Sequence, residues 1–90
     1  MYEIEFTSNA AKDAIYLRKK EQNAYRKLEK LLDELRFNPR TGTGKPERLK
    51  HYKTEIWSRR ISRKHRLVYE IKDQIVSVKI ISAYGHYDDK

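Results

Sequence analysis

The 90-residue sequence contains no cysteine, which excludes disulfide bonds, thiol chemistry and every metal site that depends on cysteine ligands. Its longest apolar run, residues 14–17, is far shorter than the ~20 residues that cross a bilayer. Residues 1–6 alternate in polarity and lack the basic-then-apolar order of a secretory signal. We therefore expect a cytoplasmic protein with no membrane partner.

Glycine is also scarce, and Gly42 and Gly44 lack the neighbours that complete a glycine-rich phosphate loop. Of the few histidines, only His86 lies close to carboxylates, Asp88 and Asp89, and this set has no further partner at metal-ligand spacing. We predict neither a metal ion nor another cofactor.

Positive charge is what the chain has in excess, with 21 Lys and Arg against 13 Asp and Glu. Residues 38–70 hold ten basic and three acidic side chains, whereas the segments on either side are nearly balanced. A cluster of one sign repels itself, and in a cytoplasmic protein it first indicates a nucleic-acid partner. The alternative is a solubilising face, but such faces normally mix both signs.

The polarity pattern predicts a strand, two helices and then a run of strands. Alternation over residues 2–6 is typical of a half-buried strand, and residues 7–9 offer oxygens that cap a helix. A stronger helical repeat begins near Asn23 and should end near Asn38, because Pro39 disfavours the α conformation of the residue before it.

Residues 39–54 read as a loop, followed by three strands at 55–61, 65–71 and 75–84, the last two joined by a tight hairpin. This order predicts an α+β fold in which both helices pack on one face of a small twisted antiparallel sheet. We expect a single domain that spans the whole chain.

Glu47 is a lone carboxylate flanked by Lys45, Arg48 and Lys50. Neighbouring cations favour the ionised form of a carboxylate, which could then accept a proton beside groups that attract phosphate. The alternative is a loop glutamate that only neutralises the local lysines.

His86 lies two residues after the end of the last predicted strand. Histidine can give or take a proton near neutral pH, and strand ends often carry site residues. The alternative is an ordinary surface histidine near the end of the chain.

Arg59, Arg60 and Arg66 lie on two neighbouring predicted strands, and guanidinium groups bind phosphate oxygens through paired hydrogen bonds. Because adjacent strand residues point to opposite faces, only one of Arg59 and Arg60 can share a face with Arg66, and the sequence leaves the register open. Aromatic side chains that could stack on bases lie in the same region: Trp57, Tyr84 and Tyr87. We expect Trp57 to belong to the core.

Four ordered blocks resemble the YoeB/Txe family of bacterial toxin–antitoxin toxins, within the RelE-like superfamily. They read GTGKPERLKH at 42–51, WSRRI at 57–61, HRLVY at 65–69 and HY at 86–87. The resemblance implies a RelE-like microbial RNase fold. It also implies a metal-independent endoribonuclease that cleaves mRNA in the ribosomal A site and inhibits translation.

The resemblance further implies roles for single residues. Glu47 would be the general base that takes the 2′-OH proton, and His86 the general acid that protonates the leaving 5′ oxygen. Arg66 would stabilise the transition state, and Tyr87 would orient the substrate or the histidine. The substrate-binding residues would be Lys45, Lys50, Arg59 and Arg60.

The partners implied are an acidic antitoxin of the YefM/Axe type, the ribosome with its mRNA, and a second copy in a possible homodimer. The residues Asp88-Asp89-Lys90 depart from the family, whose members end close to the His-Tyr pair.

Two other functions stay open. One is a non-catalytic module that binds RNA or the ribosome through the same basic face, for which Glu47 would have no use. The other is a toxin of the same fold with another target, such as a topoisomerase, and the set of Glu47, Arg66 and His86 argues against it.

Overall fold

The computed structural model describes residues 1–85. Its elements follow in the predicted order, with one short strand inside the predicted loop. They are β1 (Glu3–Phe6), α1 (Ser8–Lys20), α2 (Gln22–Leu35), β2 (Glu47–Arg48), β3 (Ile56–Arg60), β4 (Arg66–Lys72), a 3₁₀ turn (Asp73–Ile75) and β5 (Ser77–Ser82).

The five strands form one sheet in the order β1-β5-β4-β3-β2. The pairs β2–β3, β3–β4 and β4–β5 are antiparallel, whereas β1 runs parallel to β5. The α+β class is confirmed, and the sheet is mixed rather than wholly antiparallel. Parallel neighbours require a long crossover, and here both helices and the strands β2 to β4 lie between β1 and β5 in the chain.

Both helices pack on the same face of the sheet. Leu28, Leu31 and Leu35 recur along α2 and are fully buried, in one core with Leu67 and Tyr69 of β4. Burying each leucine contributes about 2 kcal/mol of transfer free energy. The core therefore fixes which face of β3 and β4 turns inward.

The helix start predicted at residues 7–9 is confirmed, with Thr7 as the N-cap of α1. The Thr7 hydroxyl accepts a hydrogen bond from the N–H of Ala10 and donates one to the carbonyl of Ile81, both at 3.0 Å. One side chain thus caps the helix and ties it to β5. Within residues 1–85, no helix is long and apolar enough to cross a membrane.

A polar network ties the loop after α2 to the far end of the sheet. Arg40 donates two hydrogen bonds to Glu55, at 2.7 and 2.8 Å, and one to Asp73 at 2.6 Å. The Tyr2 hydroxyl donates to the other oxygen of Asp73. The hydrogen bonds from Arg40 are the main reason that the pKa of Glu55 is lowered.

The hairpin predicted at residues 72–74 contains the 3₁₀ turn Asp73–Ile75, with Val76 as its C-cap, and β5 starts two residues later than predicted. Val76 has φ 51° and ψ 53°, in the left-handed region. A β-branched residue is strained there, because its side chain crowds its own backbone.

We expect Val76→Asn to stabilise the protein by about 1 kcal/mol, because asparagine tolerates the left-handed conformation. Val76 is 45% exposed, so little apolar burial is lost. For a protein of this size the melting temperature should rise by about 4–8 °C. The control Ile75→Asn changes a neighbour that is 63% exposed and lies outside the left-handed region, and it should give no gain. Equal melting temperatures for the two variants would contradict the strain.

Candidate active site

The face of the sheet opposite the helices carries Glu47, Arg60 and Arg66 together. Glu47 lies opposite Ser58 in the β2–β3 register, and Arg60 lies directly opposite Arg66 in the β3–β4 register. A Glu47 oxygen, Oε1, is 4.0 Å from Nη1 of Arg66. The Glu47 side chain is 68% exposed and that of Arg66 24%, so a carboxylate open to solvent lies beside a more sheltered cation.

The sharp turn before β2 brings Glu47 to this position. The carbonyl of Gly44 accepts a hydrogen bond from the N–H of Arg60 at 2.7 Å. A Cβ atom on Gly44 would lie 2.9 Å from the carbonyl oxygen of Arg60, so only glycine allows this approach. Lys45 follows with a positive φ of 52°, and Pro46 leads into β2. Gly44 thus shapes the turn that places Glu47.

Arg60 and Arg66 form a cationic pair on adjacent strands. Directly opposed residues of an antiparallel ladder have Cβ atoms only ~5 Å apart, and like charges in that position are unfavourable. Two guanidinium groups beside a carboxylate can bind a phosphodiester and stabilise the extra negative charge of its transition state. The register question that the sequence left open is therefore answered in favour of Arg60.

The prediction that Arg59 contacts substrate is wrong, because the residue lies on the helix-facing side and is fully buried. Its Nε donates to the Tyr69 hydroxyl, and Nη1 donates to Glu34 and to the carbonyl of Thr43. Its Nη2 donates to the carbonyls of Asn38 and Thr41. A guanidinium has five N–H groups, and here each has an acceptor inside the protein.

Arg59 is the support of the loop that leads to the site. Glu34 of α2 binds both Arg59 and Thr43, accepting from the Thr43 N–H at 2.8 Å and from its hydroxyl at 2.7 Å. Partial burial opposes the charge of Glu34, but the hydrogen bonds from Thr43 and the charge of Arg59 outweigh it and lower the pKa of this carboxyl. The loop before Glu47 is thus anchored on an ion pair between the buried Arg59 and the partly buried Glu34.

The other predicted site residues are placed as follows. Lys45 and Lys50 are exposed and flank β2 on either side, close to Glu47 along the chain. Trp57 is half-buried, packs against the core as expected, and donates its indole N–H to Glu55. His86, Tyr87 and the Asp88-Asp89-Lys90 tail lie outside the described residues.

His65 is a residue that the sequence analysis did not select for a role. It is buried, and its Nδ1 accepts a hydrogen bond from the N–H of Gly85 at 2.8 Å. The ring proton therefore lies on Nε2, which is 3.0 Å from a carboxylate oxygen of Glu21. The N–H of Arg66 donates a hydrogen bond to the carbonyl of Gly85 at 2.9 Å, and the Tyr84 ring packs against the His65 ring at an angle of 37°. Gly85, which precedes His86 in the sequence, is thus held beside Arg66 through both its N–H and its carbonyl.

Comparison with known proteins identifies the family. The family profile described as the YoeB-like toxin of bacterial type II toxin-antitoxin systems matches residues 6–87. The chain belongs to this family. It is therefore the toxin component of a toxin–antitoxin system, and the resemblance found in the sequence is confirmed.

Relatives support the same assignment to the YoeB-like toxins. Toxin YoeB of Escherichia coli K12 is 39% identical over 75 residues, which cover 83% of this chain and 87% of that protein. Toxin YoeB of Streptomyces coelicolor is 36% identical over 85 residues, covering 93% and 98%.

Solved structures show the same fold over nearly the whole chain. The YoeB/ParE toxin of Agrobacterium tumefaciens has a TM-score of 0.87 at 28% identity, covering 94% of this chain and 99% of that one. The YoeB dimer of Staphylococcus aureus has a TM-score of 0.83 at 37% identity, covering 96% and 98%.

Proposed function

We propose that this toxin is a ribosome-dependent endoribonuclease that cleaves mRNA in the ribosomal A site and so inhibits translation. The observation that carries the proposal is the exposed carboxylate of Glu47, 4.0 Å from Arg66, which itself lies opposite Arg60. A base next to a phosphate-binding arginine pair suits phosphodiester cleavage.

In the proposed reaction the 2′-OH of a nucleotide attacks its own 3′-phosphate. Glu47 accepts the hydroxyl proton as the new P–O bond forms, and Arg66 and Arg60 stabilise the additional charge on the phosphoryl oxygens. The bond to the 5′ oxygen of the next nucleotide then breaks. The products are a 2′,3′-cyclic phosphate and a free 5′-OH.

His86 is the proposed general acid, which gives its proton to the departing 5′ oxygen. An alkoxide is a poor leaving group, and proton donation contributes about 10²–10⁴-fold to such a step. Support comes from the hydrogen bonds of Gly85 to His65 and Arg66, which hold the chain next to the cationic pair one residue before His86. Tyr87 is proposed to orient the substrate or the histidine, and Lys45 and Lys50 to contact substrate phosphates.

We further propose that an acidic antitoxin covers the basic face. The YoeB–YefM complex of Staphylococcus aureus contains a toxin 36% identical to this chain, with a TM-score of 0.81 over 97% of it. The YoeB dimer from the same organism supports a possible homodimer. The exposed basic side chains of residues 38–70, among them Lys45, Lys50 and Arg60, provide charge complementarity for an acidic segment.

The test is an mRNA that carries a single 2′-deoxynucleotide on the 5′ side of the mapped cut. Because the proposed nucleophile is the 2′-OH, cleavage at that site should be abolished on purified ribosomes. The unmodified mRNA should be cut there and leave a cyclic phosphate. A 2′-deoxynucleotide one position upstream is the matched control and should not affect cleavage. Cleavage at the modified site would show that water is the nucleophile, as in metal-dependent hydrolysis, and would contradict the mechanism.

A further inference from the structure

A cavity of about 400 Å³ lies next to the candidate site, at the end of the sheet where β3 turns into β4. Four of its six lining residues are basic, and Arg60 and Arg66 belong both to the cavity and to the site. The lining residues are Lys27, Arg60, Ile61, Ser62, Arg63 and Arg66. The cavity thus continues the cationic pair toward α2.

No carboxylate lines this cavity, and none of the ion pairs found within residues 1–85 involves Lys27, Arg60 or Arg63. Elsewhere in the described chain, arginines such as Arg40 and Arg59 are neutralised by carboxylates. Arg66 has Glu47 at 4.0 Å, outside the cavity lining, so the four cations that line the cavity still leave an excess of positive charge. Such an excess favours an anionic ligand.

The turn between β3 and β4 adds a neutral donor. The Ser62 hydroxyl oxygen accepts hydrogen bonds from the N–H groups of Lys64 and His65, both at 3.2 Å. Its own proton has no acceptor among the described residues and can be donated to a ligand. Ile61 is buried and forms an apolar wall. An apolar wall surrounded by cations suits a nucleotide, because the faces of its base are apolar and its phosphate is negatively charged.

We propose that this cavity binds the mRNA strand one nucleotide beyond the cleaved bond. Lys27 and Arg63 would hold the phosphate of that nucleotide. The proposal rests on the proposed nuclease function. Continuity favours mRNA over other polyanions, because a strand whose reacting phosphate lies on Arg60 and Arg66 can continue directly into the cavity that these two arginines also line. The volume lies within the range of about 300–1,000 Å³ typical of small-ligand sites.

The test uses the double variant Lys27→Gln/Arg63→Gln and a fluorescent 2′-O-methyl RNA hexanucleotide, which cannot be cleaved. Losing the contact with this one phosphate should lower the slope of log affinity against log salt by about 0.7, so affinity near 0.1 M salt should fall by about fivefold. A 2′-O-methyl dinucleotide has only one phosphate and should bind wild type and variant alike. Lys27 and Arg63 are outside the core, so the melting temperature should not change.

The matched control is Lys30→Gln/Lys64→Gln, which removes the same charge from the same helix and the same turn but from residues that do not line the cavity. It should lose only a small part of the affinity. Equal losses in the two double variants would overturn the proposal, as would wild-type protein that does not bind the hexanucleotide at low salt.

Two further results would assign the cavity to another partner and overturn the proposal. A variant that keeps its affinity for the hexanucleotide but loses affinity for ribosomes without mRNA would indicate ribosomal RNA. A variant that loses only polyglutamate binding would indicate an acidic protein. Because no readout requires cleavage, an mRNA that stays whole on ribosomes would contradict the nuclease function while the affinity difference still confirmed the cavity.

Discussion

Glu47→Gln is expected to slow single-turnover cleavage of mRNA on ribosomes by about 10²–10⁴-fold, the usual contribution of a general base. Glutamine has the same shape as glutamate, but its amide cannot accept the 2′-OH proton. Because Glu47 is exposed, the substitution should change the free energy of unfolding by no more than about 0.5 kcal/mol. The loss would therefore lie in the chemical step.

Ribosome binding by the same variant should be unchanged or tighter. Removing a negative charge beside Arg66 also removes its repulsion of RNA phosphate. Glu70 carries a carboxylate on the same face of β4 as Arg66, four residues and about 13 Å away. Glu70→Gln is therefore the matched control. Glu70→Gln should cleave at the wild-type rate. If both variants cleave like wild type, Glu47 is not the base.

Arg59→Met is expected to destabilise the protein by about 3–5 kcal/mol, because it removes a fully buried arginine from its ion pair with Glu34. The substitution removes the cation that pairs with Glu34, which keeps only its two hydrogen bonds from Thr43, and it leaves three loop carbonyls without the Arg59 donors. Since small domains have only about 5–15 kcal/mol of stability, the midpoint of urea unfolding should fall steeply.

Arg60→Met, one residue further along β3, is the matched comparison. Arg60 is exposed on the opposite face, so its free energy of unfolding should change by no more than about 0.5 kcal/mol. A lost hydrogen bond to a charged phosphate should instead slow cleavage roughly tenfold to a hundredfold. The two substitutions would then affect different properties: Arg59→Met would lower stability, and Arg60→Met would lower the rate of cleavage. A stable Arg59→Met variant, or an unstable Arg60→Met variant, would contradict the assignment of the two faces.

Local signals in the sequence were sufficient for the helices and for most strand positions. The leucine repeat of α2 and the cap at Thr7 act within one or two helical turns, so they can be read without knowledge of the rest of the chain. The inward face of β4, with Leu67 and Tyr69, follows equally from alternation.

Long-range pairing could not be predicted in this way. The parallel pairing of β1 with β5 joins residues more than 70 positions apart, and β2 has only two residues in a segment rich in glycine and proline. The delayed start of β5 depends on the strained conformation of Val76, which its own propensity opposes.

The site was predictable in part. Glu47, Arg60 and Arg66 share one face, as the sequence allowed, but the register that sends Arg59 into the core depends on the whole sheet. Lys27 and Arg63 reach the same cavity from α2 and from the β3–β4 turn. A lysine on a helix and an arginine in a turn are ordinary solvated residues until the fold brings them together.

Primer extension on a defined mRNA bound to purified ribosomes tests the central claim most directly. Wild-type protein, Glu47→Gln and His86→Gln would be compared with the same mRNA and with the mRNA alone. The account predicts discrete new 5′ ends that require both ribosome and wild-type protein and that are absent or very faint with either variant. Wild-type protein that binds ribosomes but leaves the mRNA whole would contradict it and would favour a non-catalytic binding module.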